Sequence, residues 1–402
     1  MAQFRWPGVL FLGFVLSSSA QETPPAARTS GQDAAPTSPS LTPRSHEERE
    51  RRYQAEHRIT LNVIVTDSSG RAGKGLKQED FTILDDGVPK AAMSFRPMEG
   101  SKGIAPAHVI LMLDTVNNSP RSIAFERREV EKFLARSQKQ LEYPTSIAVL
   151  SRLGATVGKQ SRDRDALVRE FRTLVNSVHR YGCEDEGISS LQLFAGSVFG
   201  NVGVHGLADD SLAGQRASCE NQRFLLSVSS LHRQAMRQID VPGRAILIWI
   251  GPGWPLLSSQ EFRPDSPALK QNFFAYLVLL STALREGQVT LDAVSSPELF
   301  RAEENLSDHD IALMNGVSSE EQVTAGSLAL QVLAHQSGGQ VLTAGKDLAK
   351  EIAQCVADAD SYYVLSFDSA AGTRPGEFHP LQVNVKKPGL TVRTNTAYYA
   401  QP

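Results

Sequence analysis

The sequence has no long apolar run, few cysteines and no marked excess of either charge. Its 402 residues contain 41 Lys or Arg against 44 Asp or Glu, which gives a formal net charge of −3. A nucleic-acid-binding surface needs an excess of basic residues, so the charge balance argues against such a partner. A helix that spans a membrane needs about 20 consecutive apolar residues, and no apolar run reaches that length. We therefore expect neither a nucleic-acid partner nor a membrane span.

The usual enzyme and cofactor motifs are also absent. There is no Gly-x-Ser-x-Gly elbow, no Gly-x-Gly-x-x-Gly after a strand, and no His-x-x-x-His pair or cysteine cluster for zinc. Ser307 to Asp310 combine hydroxyl, carboxylate and imidazole groups, but triads are assembled from distant residues, and we interpret this segment as a solvated loop. We expect a protein that is not an enzyme and has no cofactor. The alternative is a hydrolase whose site is assembled from distant residues.

The N-terminal residues carry a targeting signal. A basic residue precedes a short apolar run from Gly8 to Leu16, and small residues follow at Ser18 and Ala20. This pattern predicts a secretory signal peptide over residues 1–20, and the alternative is a short membrane anchor. We expect a secreted or periplasmic protein. Residues 21–57 are rich in Pro, Ser and Thr and then charged, which predicts a disordered tether.

The three cysteines are Cys183, Cys219 and Cys355. In an oxidising compartment the simplest arrangement is one disulfide and one thiol. Cys183 and Cys219 lie near the two ends of an irregular stretch, about residues 180–220, and we predict that they pair. Cys355 falls on the apolar stripe of a predicted helix, so we expect a buried thiol.

Both ends of the chain are predicted to form β-strands. In residues 58–98, apolar side chains alternate with polar ones and the turn Asp85-Asp86-Gly87 separates two strands. Residues 375–402 contain further strands around Lys386 to Gly389. We predict that the two ends pair into a small β-sandwich-like unit with a central domain inserted between them. The alternative is that each end adds separately to the edge of the central sheet.

The central part, residues 107–370, alternates strands with helices and is predicted to be an α/β domain. Two segments are almost wholly apolar: Val109 to Leu113, which ends at Asp114, and Ala245 to Ile250. Such runs are typical of parallel strands that are covered on both faces. Asp114 then stands at the carboxyl end of a central strand, where open α/β sheets gather their ligand groups.

Several motifs of this chain together match a known family. They are Asp85-Asp86-Gly87, Leu111 to Thr115, Pro252-Gly253, Ser361 to Leu365, and Lys387 to Leu390 with Tyr398-Tyr399. With them the chain resembles the bacterial von Willebrand factor A-related domain family, first described from acidobacterial proteins. The resemblance implies a Rossmann-like domain with helices on both faces of a mostly parallel six-stranded sheet. It also implies the strand order 3-2-1-4-5-6, with the third strand antiparallel at the edge.

The wider superfamily often binds Mg²⁺ through Asp-x-Ser-x-Ser and a distant Thr and Asp. Here Asp114 is followed by Val116, which has no side-chain oxygen, and by the uncharged Asn118, while Gly251-Pro252 stands where the second Asp usually occurs. Only Asp114 and Asn118 remain as possible ligands, so we expect no Mg²⁺. Asp114 could instead accept hydrogen bonds from its own loop while Ser119 caps the next helix. A metal-free contact with a ligand is the other alternative.

We therefore expect a non-catalytic interaction or adhesion module that binds a protein or an extracellular polymer. The loops after Asp114 and Ile250 and the irregular stretch would form its binding face. A Mg²⁺-dependent adhesion domain is an alternative, as is the hydrolase. Trp254 is either an exposed aromatic anchor or packed against the following helix. The candidate binding residues are Asp114, Asn118, Ser119, Glu184, Asp185 and Trp254.

Overall fold

The computed structural model describes residues 57–99, 107–137, 139–178, 212–254, 267–296, 313–343, 347–369 and 372–400. The signal peptide, most of the tether, Cys183, the acidic pair Glu184 and Asp185, and the segment Ser307 to Asp310 lie outside these residues, so those predictions stay predictions. Within the described ranges, no helix is both long enough and apolar enough to cross a membrane.

The described part of the chain forms fifteen strands and six α-helices. The strands are β1 (Arg58–Asp67), β2 (Phe81–Asp85), β3 (Val88–Lys90), β4 (Ser94–Glu99), β5 (His108–Asp114), β6 (Gln140–Ser151), β7 (Gly154–Val157), β8 (Ser161–Asp163), β9 (Ala245–Ile250), β10 (Val289–Ser295), β11 (Val341–Thr343), β12 (Ser361–Asp368), β13 (Glu377–Val385), β14 (Leu390–Arg393) and β15 (Ala397–Ala400). The helices are α1 (Pro120–Arg136), α2 (Arg164–Ser177), α3 (Leu212–Gln238), α4 (Pro267–Glu286), α5 (Leu330–Gln336) and α6 (Leu348–Ala357).

The central sheet has the strand order β11-β10-β9-β5-β6-β7, and β8 also pairs with β6. The strands from β11 to β6 are parallel, whereas β7 and β8 run antiparallel to β6. This agrees with the predicted order and the predicted antiparallel third strand. The number of strands is a correction, because the mixed sheet has seven strands and not six. The extra strand, β8, is three residues of mostly exposed polar sequence and has no apolar periodicity to reveal it.

Helices cover both faces of the central sheet. Successive residues of β5 alternate between two cores: Ile110 and Met112 contribute to one, Val109 and Leu111 to the other. Helices α3, α4 and α5 contribute to the first core, and α1, α2 and α6 to the second. Because both faces are covered, the inner strands can be apolar at every position. Cys355 of α6 is buried in the second core as a free thiol, which confirms its predicted environment.

The chain ends form two further sheets, β14-β1-β12-β4 and β15-β13-β2-β3. N-terminal and C-terminal strands pair within each, with Val65 opposite Val392 and Ile83 opposite Val383. Both sheets contribute to one apolar core, to which Leu61 belongs as well as Ile83. The two ends therefore pair with each other in a β-sandwich and do not add separately to the central sheet.

The position of strand β12 differs from the predicted domain organisation. The sequence places it as the last strand of the central part, but it pairs with β1 and β4 in the sandwich. Tyr363 and Leu365 belong to the sandwich core, whereas Tyr362 and Val364 belong to the second core of the central domain. Because both of its faces are buried, this strand has the same continuous apolar character as a strand of the central sheet.

Candidate functional site

Strands β5 and β9 lie side by side and parallel, with Leu113 opposite Ile250. Strand β6 lies on the other side of β5, with Leu150 opposite Asp114. The loops that follow these three strands therefore leave from the same edge of the sheet. We call residues 115–119, 152–153 and 251–254 of these loops the rim.

Asp114 is fully buried at the base of the rim. Its Oδ1 accepts hydrogen bonds from the backbone N–H groups of Val116 and Asn117 at 2.9 and 3.0 Å. Its Oδ2 accepts one from Asn117 Nδ2 at 2.8 Å and one from Trp249 Nε1 at 3.0 Å. A carboxylate offers about four lone-pair positions, so these four donors occupy the acceptor capacity of Asp114.

This arrangement does not fit Mg²⁺. A hard cation needs oxygen lone pairs directed at it, and those of Asp114 are already directed at N–H groups. Val116 brings no side-chain oxygen, and the Asn118 amide nitrogen donates to Glu126 Oε2 at 2.6 Å. The contacts are those of a carboxylate that holds its own loop in place.

Further bonds tie this loop to its neighbours. The Thr115 hydroxyl donates to the carbonyl of Leu150 at 2.6 Å, which joins the loop to β6. Asn117 Nδ2 donates to Ser227 Oγ at 2.9 Å, which joins it to α3. Rim residues 115–117 are consequently held by β6, α3 and, through Trp249, by β9.

Ser119 acts as the N-cap of α1. Its hydroxyl accepts a hydrogen bond from the backbone N–H of Ser122 at 3.1 Å, and Pro120 follows in the first turn. The side-chain oxygen Oδ1 of Asn118 in turn accepts from the Ser119 N–H at 3.0 Å. The predicted cap is confirmed, and Ser119 remains exposed at the rim.

Glu126 of α1 is a second buried carboxyl group behind Asp114. Burial, and next the charge of Asp114, raise the pKa of Glu126 to about 8, so the group is protonated at neutral pH. Burial also raises the pKa of Asp114, and its four donors counteract that effect. Sequence reasoning missed Glu126, although it falls on the apolar stripe of α1 three residues after Ile123 and four before Val130.

Gly251 brings the β9 loop against the β5 loop. Its φ is +137°, and a Cβ at this position would lie 2.8 Å from Asp114 Cβ. Only glycine tolerates both this backbone conformation and so short an approach. Position 251 therefore has no room for a side chain beside Asp114.

Trp254 is buried, with only 3% of its surface exposed, so the prediction of an exposed aromatic anchor is wrong. Its ring packs edge-on against Trp249, with centroids 5.1 Å apart, and its N–H donates to the carbonyl of Leu328. Gly253, with φ +71°, packs closely on Leu330. The indole thus belongs to the first core of the central sheet, and its hydrogen-bond acceptor comes from a residue distant in sequence.

Leu153 is the exposed apolar residue of the rim. It lies between β6 and β7 with 84% of its surface exposed, more than any other large apolar side chain in the described residues. Asn118 is half-buried and Ser119 exposed on the neighbouring loop. The structure therefore brings Asp114, Asn118 and Ser119 together, buries Trp254, and adds Leu153, whose exposure no periodic pattern indicates.

A cavity of about 510 Å³ lies elsewhere, where strands of the sandwich meet the end of α4. Its lining includes Arg58, Thr282, Arg285, Tyr398 and Tyr399. Of the predicted site residues that the structure describes, none lines it. The predicted site is thus a part of the protein surface and not this cavity.

Comparisons with known proteins add little to this geometry. No protein-family model matches the chain, and no curated protein matches it.

Three solved structures illustrate the weak similarities that were found. Proximal thread matrix protein 1 from the mussel byssus is 13% identical, with a TM-score of 0.30, over 67% of this chain and 49% of that protein. The human COPII-coat protein Sec24c is 7% identical, with a TM-score of 0.32, over 74% and 44%. Manganese-loaded Plasmodium vivax TRAP protein is 9% identical, with a TM-score of 0.32, over 75% and 96%.

This chain thus spans about half the length of the first two proteins. At such TM-scores, none of the three similarities carries an argument about function.

Proposed function

We propose that this protein is an exported, non-catalytic interaction module that binds a protein or an extracellular polymer through its rim. The export rests on the predicted signal peptide. The position of the binding face rests on the parallel pairing of β5 with β6 and β9, because open α/β sheets bind their ligands outside the carboxyl ends of adjacent strands.

The exposure of Leu153 is the observation that supports this function best. A large apolar side chain that is 84% exposed loses contact with water when a partner covers it, which favours binding. The neighbouring 115–117 segment is held by hydrogen bonds to β6 and α3. A surface that is already fixed loses little conformational entropy on association. Asn118 and Ser119 provide polar groups on the loop that follows the adjacent strand β5.

The two carboxyl groups of this region favour a non-catalytic role. Asp114 and Glu126 are both fully buried, and the acceptor positions of Asp114 are occupied by N–H donors. A general base must reach a substrate proton within hydrogen-bond distance, and neither group is open to an outside molecule. We also propose that the rim binds no Mg²⁺.

A capture experiment tests the proposed function. The purified protein is immobilised and exposed to envelope extract and culture medium of the source organism, and the retained component is identified. Wild type is then compared with Leu153→Asp and with Met93→Asp, a matched control in the sandwich whose side chain is 57% exposed. We expect Leu153→Asp alone to lose the retained component. Equal retention by all three proteins contradicts the rim as binding face.

Calorimetric titration with Mg²⁺ tests the proposal that the rim binds no Mg²⁺. We expect no heat of binding at the rim, hence the same flat response from wild type and from Asp114→Ala. A binding isotherm that is present in wild type and lost in Asp114→Ala contradicts it.

A further inference from the structure

The β2–β3 turn brings three potential metal ligands together in the sandwich. Asp85 ends β2, and the two residues that follow, Asp86 and Gly87, have φ values of +51° and +75°. Positive φ at both positions is typical of the type I′ turn of a two-residue hairpin. The turn lies beside β13, because Leu381 is opposite Asp85 and the Asp86 N–H donates to the carbonyl of Pro380.

His379 of β13 faces both carboxylates of this turn. Its Nδ1 lies 2.6 Å from Asp86 Oδ2 and 3.8 Å from Asp85 Oδ1. One ligand atom from each of the three residues lies within 4.8 Å of the others. Zinc binds nitrogen and oxygen at about 2.0–2.2 Å, so its ligand atoms lie roughly 3–3.5 Å apart, and small side-chain shifts would bring these three to that spacing.

Neighbouring side chains hold two of the three groups in position. The Tyr398 ring stacks on His379 with centroids 4.9 Å apart, and its hydroxyl donates to both oxygens of Asp85 at 3.1 and 3.2 Å. Lys90 Nζ lies 3.4 Å from Asp85 Oδ2, and Oδ1 is the Asp85 oxygen that lies 3.8 Å from His379 Nδ1. Outer contacts of this kind orient the ligands of metal sites.

Burial keeps water away from the histidine. His379 is 7% exposed, and it directs Nδ1 at the two carboxylates, so the nitrogen that would hold an ion already faces the other two ligands. A metal on Nδ1 would fix the proton on Nε2 and so define the ring's tautomer. Asp86 has a side chain that is 47% exposed, so an ion can reach the cluster from solvent.

We propose that Asp85, Asp86 and His379 bind a divalent transition-metal ion such as Zn²⁺, with solvent water completing the coordination. An imidazole ligand favours such ions over Mg²⁺ and Ca²⁺. The ion takes the place of the proton shared by His379 and Asp86 and links the β2–β3 turn to β13. The site is independent of the rim and of the proposed function.

Titration of the chelator-treated protein with Zn²⁺ at pH 7.5 tests this site, with calorimetry and thermal unfolding as readouts. The key variant is Asp86→Asn, because asparagine accepts the positive φ of this turn but lacks the charge. His379→Asn removes the nitrogen ligand. Glu99→Gln, which changes an exposed carboxylate of the same sandwich, is the matched control.

We expect wild type and Glu99→Gln to bind one equivalent of Zn²⁺. Asp86→Asn and His379→Asn should bind it at least about tenfold more weakly. Zn²⁺ should also raise the melting temperature of wild type and Glu99→Gln, and leave that of the two ligand variants unchanged. The proposal is overturned if Asp86→Asn, folded as wild type, binds Zn²⁺ with unchanged affinity and stoichiometry, or if wild type binds none.

Discussion

At the residue scale, two buried carboxyl groups differ in how they are satisfied. Asp114 accepts four hydrogen bonds, whereas Glu126 accepts one from Asn118 and has an Oε1 without a partner in the described residues. Burial without full compensation favours the neutral form of a carboxyl group. Glu126 is therefore the carboxyl group of the site whose pKa is raised to about 8.

The pH dependence of stability should reveal Glu126. Its pKa is raised from 4.5 to about 8 in the folded protein, so the folded state holds this proton more tightly than the unfolded state. The stability that the folded protein gains from binding this proton is present in full below pH 4.5 and is lost as pH rises through about 8. We compare the free energy of unfolding of Glu126→Gln with that of wild type. From pH 4.5 to pH 9 this difference should shift in favour of Glu126→Gln by roughly 3–5 kcal/mol.

Urea unfolding of both proteins across this pH range measures the effect. Groups that do not interact with Glu126, such as Asp292 with a pKa raised by burial to about 7, titrate in both proteins and cancel in the difference. A difference in unfolding free energy that stays constant from pH 4.5 to pH 9 would mean that Glu126 ionises in both states alike.

At the element scale, the site depends on the close approach of two loops. Sequence patterns located β5 and β9 because strands covered on both faces are apolar throughout. The same patterns did not reveal that Trp254 turns inward, since this depends on the Leu328 carbonyl far along the chain. Leu153 was missed because one apolar residue in a short turn forms no periodic pattern.

Substitution of Gly251 tests the contact between these loops. An alanine Cβ would lie 2.8 Å from Asp114 Cβ, at a φ of +137°. We expect Gly251→Ala to lower the free energy of unfolding by about 2–4 kcal/mol, since strain and steric overlap add.

Gly70→Ala is the matched control for this effect. Gly70 also has a positive φ, +78°, but its Cβ would meet no atom within 4 Å. Backbone strain alone should cost about 1–2 kcal/mol. If chemical denaturation gives the same loss for both variants, the loops after β5 and β9 do not restrain each other.

At the scale of the whole molecule, the sandwich and the central domain share buried polar contacts. Arg393 of β14 donates to both carboxylate oxygens of Asp358, at the end of α6, at 2.7 and 2.8 Å. Arg244, fully buried at the start of β9, donates to the Asp358 carbonyl and lies over the Tyr362 ring of β12. The placement of β12 was not predictable, because the buried faces of both units have the same apolar composition.

Loss of the Arg393 side chain should weaken this junction. Asp358 is largely buried, and without Arg393 its carboxylate loses two hydrogen bonds and keeps one from Gln340 Nε2, so its buried charge is less well compensated. We expect Arg393→Ala to lower the free energy of unfolding by about 2–4 kcal/mol, measured by calorimetry as a lower melting temperature.

Arg58→Ala provides the comparison, because Arg58 pairs with Asp368 where both side chains are exposed. Exposed pairs contribute about 0–1 kcal/mol. If both variants lose the same stability, the Arg393 pair does not hold the two units together.

Hydrogen–deuterium exchange on the complex with the captured partner tests the binding face most directly. Backbone amides of rim residues 115–119 and 152–153 should exchange more slowly in the complex than in the free protein. Amides of the β2–β3 turn in the sandwich should be unchanged. Protection that appears in the sandwich while the rim exchanges as before would contradict recognition through the carboxyl ends of β5, β6 and β9.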